Sequence, residues 1–247
     1  MVDRVLLDDL RAEHDVLDDL LAAQPVSALA TPTPAIGWTV GDVLRHLVAA
    51  ERAAAVSIRD GRDFRDASSS RAERTNHAPI DDRHALDAWR AARADTLDAF
   101  GAVDARARVP WGGREMSARS LATARLMETW AHGLDCFAAL GVEPVDTDRL
   151  VHVAWLGWRT LPHAFAIAGV APPAPPDRLR VELRAPSGDT WRFGPSGDDV
   201  PQHLVRGPAS TWCRVVTRRL RGRPLDLEAH GPLAEAAVQH AQAYLDA

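Results

Sequence analysis

Hydrophobic positions recur at helical spacing over the first two thirds of the chain. In residues 3–23, Val5, Leu6, Leu10, Leu17, Leu20 and Leu21 fall among acidic and basic positions, which predicts an amphipathic helix. Residues 25–37 are rich in Pro, Thr, Ala and Gly and predict a loop. Thr39-Val-Gly-Asp42 reads as a capping box that opens a second helix over residues 40–60. Residues 61–80 are polar and rich in Arg and Ser, as expected of a mobile connection. A third helix is predicted over 81–101, with Leu86, Trp89, Leu97 and Phe100 as core contacts. Residues 104–116, with Trp111-Gly112-Gly113, predict another loop. Ser117 has the chemistry of an N-cap for a fourth helix, which Gly141 closes. A fifth helical segment over 147–168 carries Leu150, Val153, Trp155, Leu156 and Trp158.

The pattern then changes. Ala171-Pro-Pro-Ala-Pro-Pro176 predicts an extended, semi-rigid linker. Beyond it Leu179, Val181 and Leu183 alternate with Arg180, Glu182 and Arg184, the period of a half-buried strand. Pro186-Ser-Gly-Asp189 predicts a turn and 190–193 the returning strand. Residues 208–220 predict a helix, 224–229 a strand and 231–245 a last helix. The expected organisation is an all-α domain over 1–170, a Pro-rich linker over 171–177 and a small α+β domain over 178–247.

Composition narrows the chemistry. All 29 basic residues of the 247 are Arg. Without Lys there is no Schiff-base catalysis, no pyridoxal phosphate anchor and no standard phosphate-binding loop. Tyr244 is the only tyrosine. Cys136 and Cys213 are too few for a four-cysteine zinc site or a disulfide framework. The net charge of −5 argues against non-specific nucleic-acid binding, and the five arginines of 214–223 read as a solvated face or structural pairing. No apolar run approaches the ~20 residues of a membrane span. The charged N-terminus is not a signal peptide. The expected location is the cytoplasm, with both thiols reduced.

On the fourth helix Glu128 and His132 are four residues apart, so they share one face. On the second, His46 borders the stripe of Leu44, Leu47 and Val48 and is expected to point inward, where an antiparallel bundle could bring it to Glu128 and His132. Two histidines and one carboxylate with an open position suit catalytic zinc or non-haem iron. Asp135 lies three residues past His132 and could orient it, while a surface acid reads equally well. Arg125 could pair with Glu128 or hold a substrate carboxylate. Trp38, Trp111 and Trp130 could line a pocket above the metal, although core packing is the default for a tryptophan. Cys136 reads as a buried structural thiol. Arg192, Arg206, Arg218 and Arg219 could hold an anionic substrate from the second domain. His14, His84, His152, His163, His203, His230 and His240 read as surface or packing residues.

Two stretches carry a resemblance: Gly37-Trp-Thr-Val-x-Asp-x-x-x-His46-Leu47, then Glu128-x-Trp-x-His132-x-x-Asp135. Together they resemble the DinB-like metal-binding helical bundles, and more closely the mycothiol-dependent maleylpyruvate isomerase branch, in particular a metal-binding subfamily of unassigned reaction. Leu179–Gly194 and Val205–Ala209 resemble the small α+β domain of that branch. The resemblance implies a DinB-like four-helix bundle and a metal site at His46, Glu128 and His132, with a divalent cation such as zinc. It also implies mycothiol as cosubstrate, and a small electrophile as the other partner. A cation at this site would deprotonate a thiol, whose ordinary pKa is near 8.5. Isomerisation and S-transfer both follow from that thiolate. A binding or sensing module without turnover, and a metal-assisted hydrolase, are the rival readings. A monomer or homodimer is expected, with neither nucleic acid nor membrane as partner.

Overall fold

The computed structural model describes residues 1–63, 81–196, 201–220 and 224–243. Most of the polar connection expected over 61–80 lies outside them, as do Arg221, Arg223 and Tyr244. The chain divides into two compact units, Met1–Pro144 and Val145–Ala247.

The first unit is built on four long helices: α1 (Arg4–Ala22), α2 (Val40–Asp60), α3 (Asp82–Ala102) and α4 (Ala118–Leu140). Each of α1 and α2 packs against both α3 and α4. Leu6, Leu10, Leu17, Leu20 and Leu21 of α1 are buried as their spacing predicts. Val5 is not: it lies on the solvent side, and Val2 is buried instead. Val43, Leu44, Leu47 and Val48 of α2 meet Ala85, Trp89 and Ala92 of α3 in one apolar cluster. The capping box is formed. Thr39 Oγ1 accepts from the Asp42 amide, and the Asp42 carboxylate accepts from the Thr39 amide at 2.9 Å. That bond, the Arg45 guanidinium and the Thr39 hydroxyl draw the Asp42 carboxyl down to about 2. Ser117 accepts from the Ser120 amide, and Gly141 ends α4 in the left-handed conformation at φ 67°.

The segment 104–116, expected as a loop, contains the first strand of a hairpin. β1 (Arg108–Trp111) pairs antiparallel with β2 (Arg114–Ser117) across Gly112 and Gly113. Both turn glycines have positive φ, and their amides donate to the Asp63 carboxylate. The strands are four residues each, too short for a hydrophobic alternation to show.

The second unit begins before the Pro-rich stretch rather than after it. The expected helix over 147–168 is two helices, α5 (Leu150–Arg159) and α6 (Leu161–Ala168). They pack with the sheet-bearing part rather than extending the all-α unit to 170. Trp212 Nε1 donates to Ala154 O at 3.1 Å, and Trp158 Nε1 donates to Leu179 O at 3.1 Å. The reason is burial. Val181 and Leu183 need a covering layer, and α5 with α7 (Ala209–Val216) supplies it. The sheet order is β4-β3-β5-β6, with β3 (Arg180–Arg184), β4 (Thr190–Phe193), β5 (Leu204–Pro208) and β6 (Glu228–His230). β3 runs parallel to β5, and the other pairs are antiparallel. α8 (Pro232–His240) follows, ending before the expected 245. The 208–220 helix is likewise shorter at both ends than its pattern predicts.

Gly194, just past β4, has φ +93°, and a Cβ there would run into the carbonyl oxygen of Leu179. Gly194→Ala is expected to lower stability by about 2 kcal/mol or more, from left-handed strain plus the backbone clash. Urea unfolding checks this, and a loss under about 0.5 kcal/mol would refute it.

Candidate metal centre

His46 stands two turns into α2, which the Thr39–Asp42 cap starts in a defined rotation. Glu128 and His132 stand on the middle of α4, four residues apart. The packing of α2 on α4 brings the three together. Glu128 Oε2 lies 3.4 Å from His132 Nε2 and 4.0 Å from His46 Nε2. One ligand atom from each of the three falls within 4.8 Å of the others, the one such cluster of His, Cys, Asp and Glu among the described residues. Ligands at about 2.0–2.2 Å around a tetrahedral cation lie roughly 3.4 Å apart. The donor set and spacing therefore fit a divalent metal, with small closing movements on the His46 side.

The local environment suits that use. Burial raises the Glu128 carboxyl, but the neighbouring His132 and His46 rings, with the charge of Arg125, outweigh it and hold the group well below the usual carboxylate range. Glu128 is therefore an anion at neutral pH. Asp135 Oδ2 lies 3.1 Å from His132 Nδ1, which leaves Nε2 facing Glu128. Trp38 stacks on His132 with centroids 5.7 Å apart and an interplanar angle of 4°, and meets His46 edge-on at 5.1 Å. The loop that carries Trp38 is pinned by the Pro32–Thr39 bridge and by Thr33, whose amide and hydroxyl both donate to Trp38 O. Exposure grades across the site: the His46 side chain is 39% exposed and that of His132 11%. Access from solvent is on the His46 side.

Asp135→Asn is expected to lower metal affinity roughly 10–100-fold without unfolding the chain, because the His132 ring loses its anionic partner. Competition with a chromophoric chelator reads this directly, and unchanged affinity would remove Asp135 from the site.

The other candidates have other partners. Arg125 does not hydrogen-bond to Glu128; it is 2% exposed, and its Nε donates to Glu51 Oε1 at 3.0 Å. It is too deep to meet a substrate carboxylate. Trp111 belongs to the β1–β2 hairpin, whose Pro110 carbonyl accepts from Ser57 Oγ. Ser57 lies eleven residues beyond His46, about 16 Å along α2, and the hairpin that carries Trp111 is anchored there. Trp130 is buried in the core. Cys136 is buried in the apolar cluster, and burial with the charge of Asp135 pushes its thiol up to about 12. In the second unit Arg206 gives a 2.8 Å ion pair to Glu182, which Arg192 approaches at 3.6 Å with a side chain 70% exposed. Arg218 donates to the carbonyls of Gln239 and His240, and Arg219 Nη1 to that of Thr217.

A buried polar pair lies behind the centre, His14 being a packing histidine and Glu51 a core carboxylate that the sequence analysis does not single out. Glu51 and His14 are both fully buried in the first unit. Their positions were readable: Glu51 continues the Leu44–Leu47–Val48 stripe, and His14 lies between Leu10 and Leu17 on theirs.

A profile of the mycothiol maleylpyruvate isomerase N-terminal domain matches residues 10–137, which include His46, Glu128 and His132. Two uncharacterised proteins from the CDC 1551 / Oshkosh and ATCC 25618 / H37Rv strains of Mycobacterium tuberculosis are each 42% identical over 245 residues, 96% of this chain and 93% of theirs. Among solved structures, the mycothiol-dependent maleylpyruvate isomerase superposes with a TM-score of 0.58 at 16% identity, covering 91% of each chain. A histidine-to-alanine mutant of that enzyme gives 0.52 at 17% identity, covering 85% of this chain and 86% of that one. At those identities the likeness is one of fold. The profile spans more than half of the sequence, and the chain belongs to the DinB-like, mycothiol maleylpyruvate isomerase family.

Proposed function

We propose that this protein is a metal-dependent enzyme, zinc being the first candidate, that activates a low-molecular-weight thiol such as mycothiol for isomerisation of, or transfer to, a small electrophile. One observation carries the reading: Nε2 of His46, Nε2 of His132 and Oε2 of Glu128 converge with one side open to solvent. A cation bound there would lower the pKa of a thiol entering from that side. His46, Glu128 and His132 would hold the ion, Asp135 would fix the His132 ring, and the Trp38 face would exclude water from one flank.

The protein's own thiols do not serve. Burial holds both Cys136 and Cys213 protonated, well above their ordinary range. The nucleophile in this reading is therefore a second substrate, as the name of the solved relatives indicates for those enzymes. A thiolate adding to one carbon of an activated double bond leaves a single bond free to rotate. Its departure completes a cis–trans isomerisation, and its retention with proton uptake gives a conjugate.

The test is consumption of a panel of electrophiles, cis-configured dicarboxylates included, with and without mycothiol. Thiol-dependent turnover that disappears in His46→Ala is expected. Turnover without thiol would reassign the site to hydrolysis. Absence of turnover with a metal-loaded, thiol-binding protein would make it a binding module.

A further inference from the structure

Beneath the metal ligands the first unit encloses a cluster of polar groups that stability alone does not account for. Arg125 Nε donates to Glu51 Oε1 at 3.0 Å, and His14 Nε2 stands 3.6 Å from the same oxygen. The Trp89 indole meets the His14 ring edge-on at 5.0 Å. Glu51, His14 and Trp89 are fully buried, and Arg125 and Thr129 nearly so. Yet Glu51 Oε2, Arg125 Nη2, both His14 ring nitrogens, Trp89 Nε1 and Thr129 Oγ1 lack a hydrogen-bond partner among the described residues. Each such atom is costly when buried, and a buried ion pair is no more stabilising than well-packed apolar residues of the same volume. A cluster of this kind calls for another use.

Its position supplies one. Arg125 precedes Glu128 by three residues on α4, which makes them neighbours on the helix surface. Glu51 reaches the guanidinium from α2, five residues beyond His46. No solvent screens a charge placed there. We propose that Glu51 and Arg125 are positioning residues of the metal centre. Glu51 holds the Arg125 guanidinium in place as a buried positive charge beneath Glu128. That charge loosens the hold on the cation and favours an anionic group, such as a thiolate, at the open position.

The proposal rests on the metal-centre reading and goes beyond it, because it predicts shifts of opposite sign. Glu51→Gln leaves the guanidinium uncompensated, and zinc affinity is expected to fall roughly tenfold. The double variant Glu51→Gln/Arg125→Gln removes the field, and zinc is expected to bind about threefold more tightly than in the wild type. A purely structural pair would give no such reversal. Zinc is titrated against a chromophoric chelator, and helix content is read without metal by circular dichroism. A folded double variant that binds zinc no more tightly than the wild type overturns the proposal, whatever Glu51→Gln does. Loss of the helices in the double variant also overturns it, since the pair is then a folding element. A wild type that binds no zinc defeats the metal-centre reading itself, an outcome distinct from wild-type binding with an unresponsive double variant.

Discussion

His132→Ala is expected to lose bound metal, with affinity more than about 100-fold weaker, while keeping its helices. The lower bound follows from the cost of losing only a ligand's hydrogen-bond partner, which is already 10–100-fold; here the ligand itself is gone. The fold should survive because the apolar cluster of Leu17, Val43, Leu44, Leu47, Trp89 and Ala92 does not include the three ligands. This separates the site from a zinc finger, where metal binding supplies the folding free energy. Elemental analysis of purified protein beside far-UV circular dichroism checks both halves, and His46→Ala should behave alike. Equal metal content in variant and wild type would sink the metal centre. An unfolded metal-free chain would make the ion structural and weaken the catalytic reading.

Trp212→Ala should cost about 3–5 kcal/mol of stability, the usual range for removing a fully buried large aromatic. The indole is completely enclosed on α7, and its Nε1 donates to the Ala154 carbonyl of α5. Truncation therefore leaves a cavity and removes that hydrogen bond together. Urea unfolding with a probe of the second unit measures it. A loss under about 1.5 kcal/mol would mean that the α5–α7 contact contributes less to that unit than its burial implies. Metal content should stay unchanged, since all three ligands lie within Met1–Pro144.

Much of this protein was legible in one dimension. The four long helices announce themselves by period and by caps, because a Thr39–Asp42 box, a Ser117 cap and a Gly141 terminator are local chemistry that acts within one turn. The pairing of Glu128 with His132 is equally local, being set by the helix pitch. His46 is different: eighty-two residues separate it from Glu128, and its place at the site came from resemblance and an assumed bundle. Packing of α2 on α4 is what puts its Nε2 beside Glu128.

Where the sequence misled, a nonlocal term decided. The Pro-rich stretch at 171–176 suggested a domain boundary, but α5 and α6 belong with the sheet because Val181, Leu183 and Trp212 need covering. Arg125 has the spacing to meet Glu128, and a carboxylate from another helix captures it. Trp111 has the chemistry of a pocket wall, and a bond from Ser57, eleven residues past His46, is what anchors its hairpin on α2. Periodicity states which face of an element is buried. It does not state which polar group from a distant segment meets it there, since that depends on how helices pack once the chain has closed. Local chemistry along the chain dictates the long helices of the first unit, their caps and the donor types of the site. Tertiary structure alone decided which donors converge, and that a charged pair stands buried behind them.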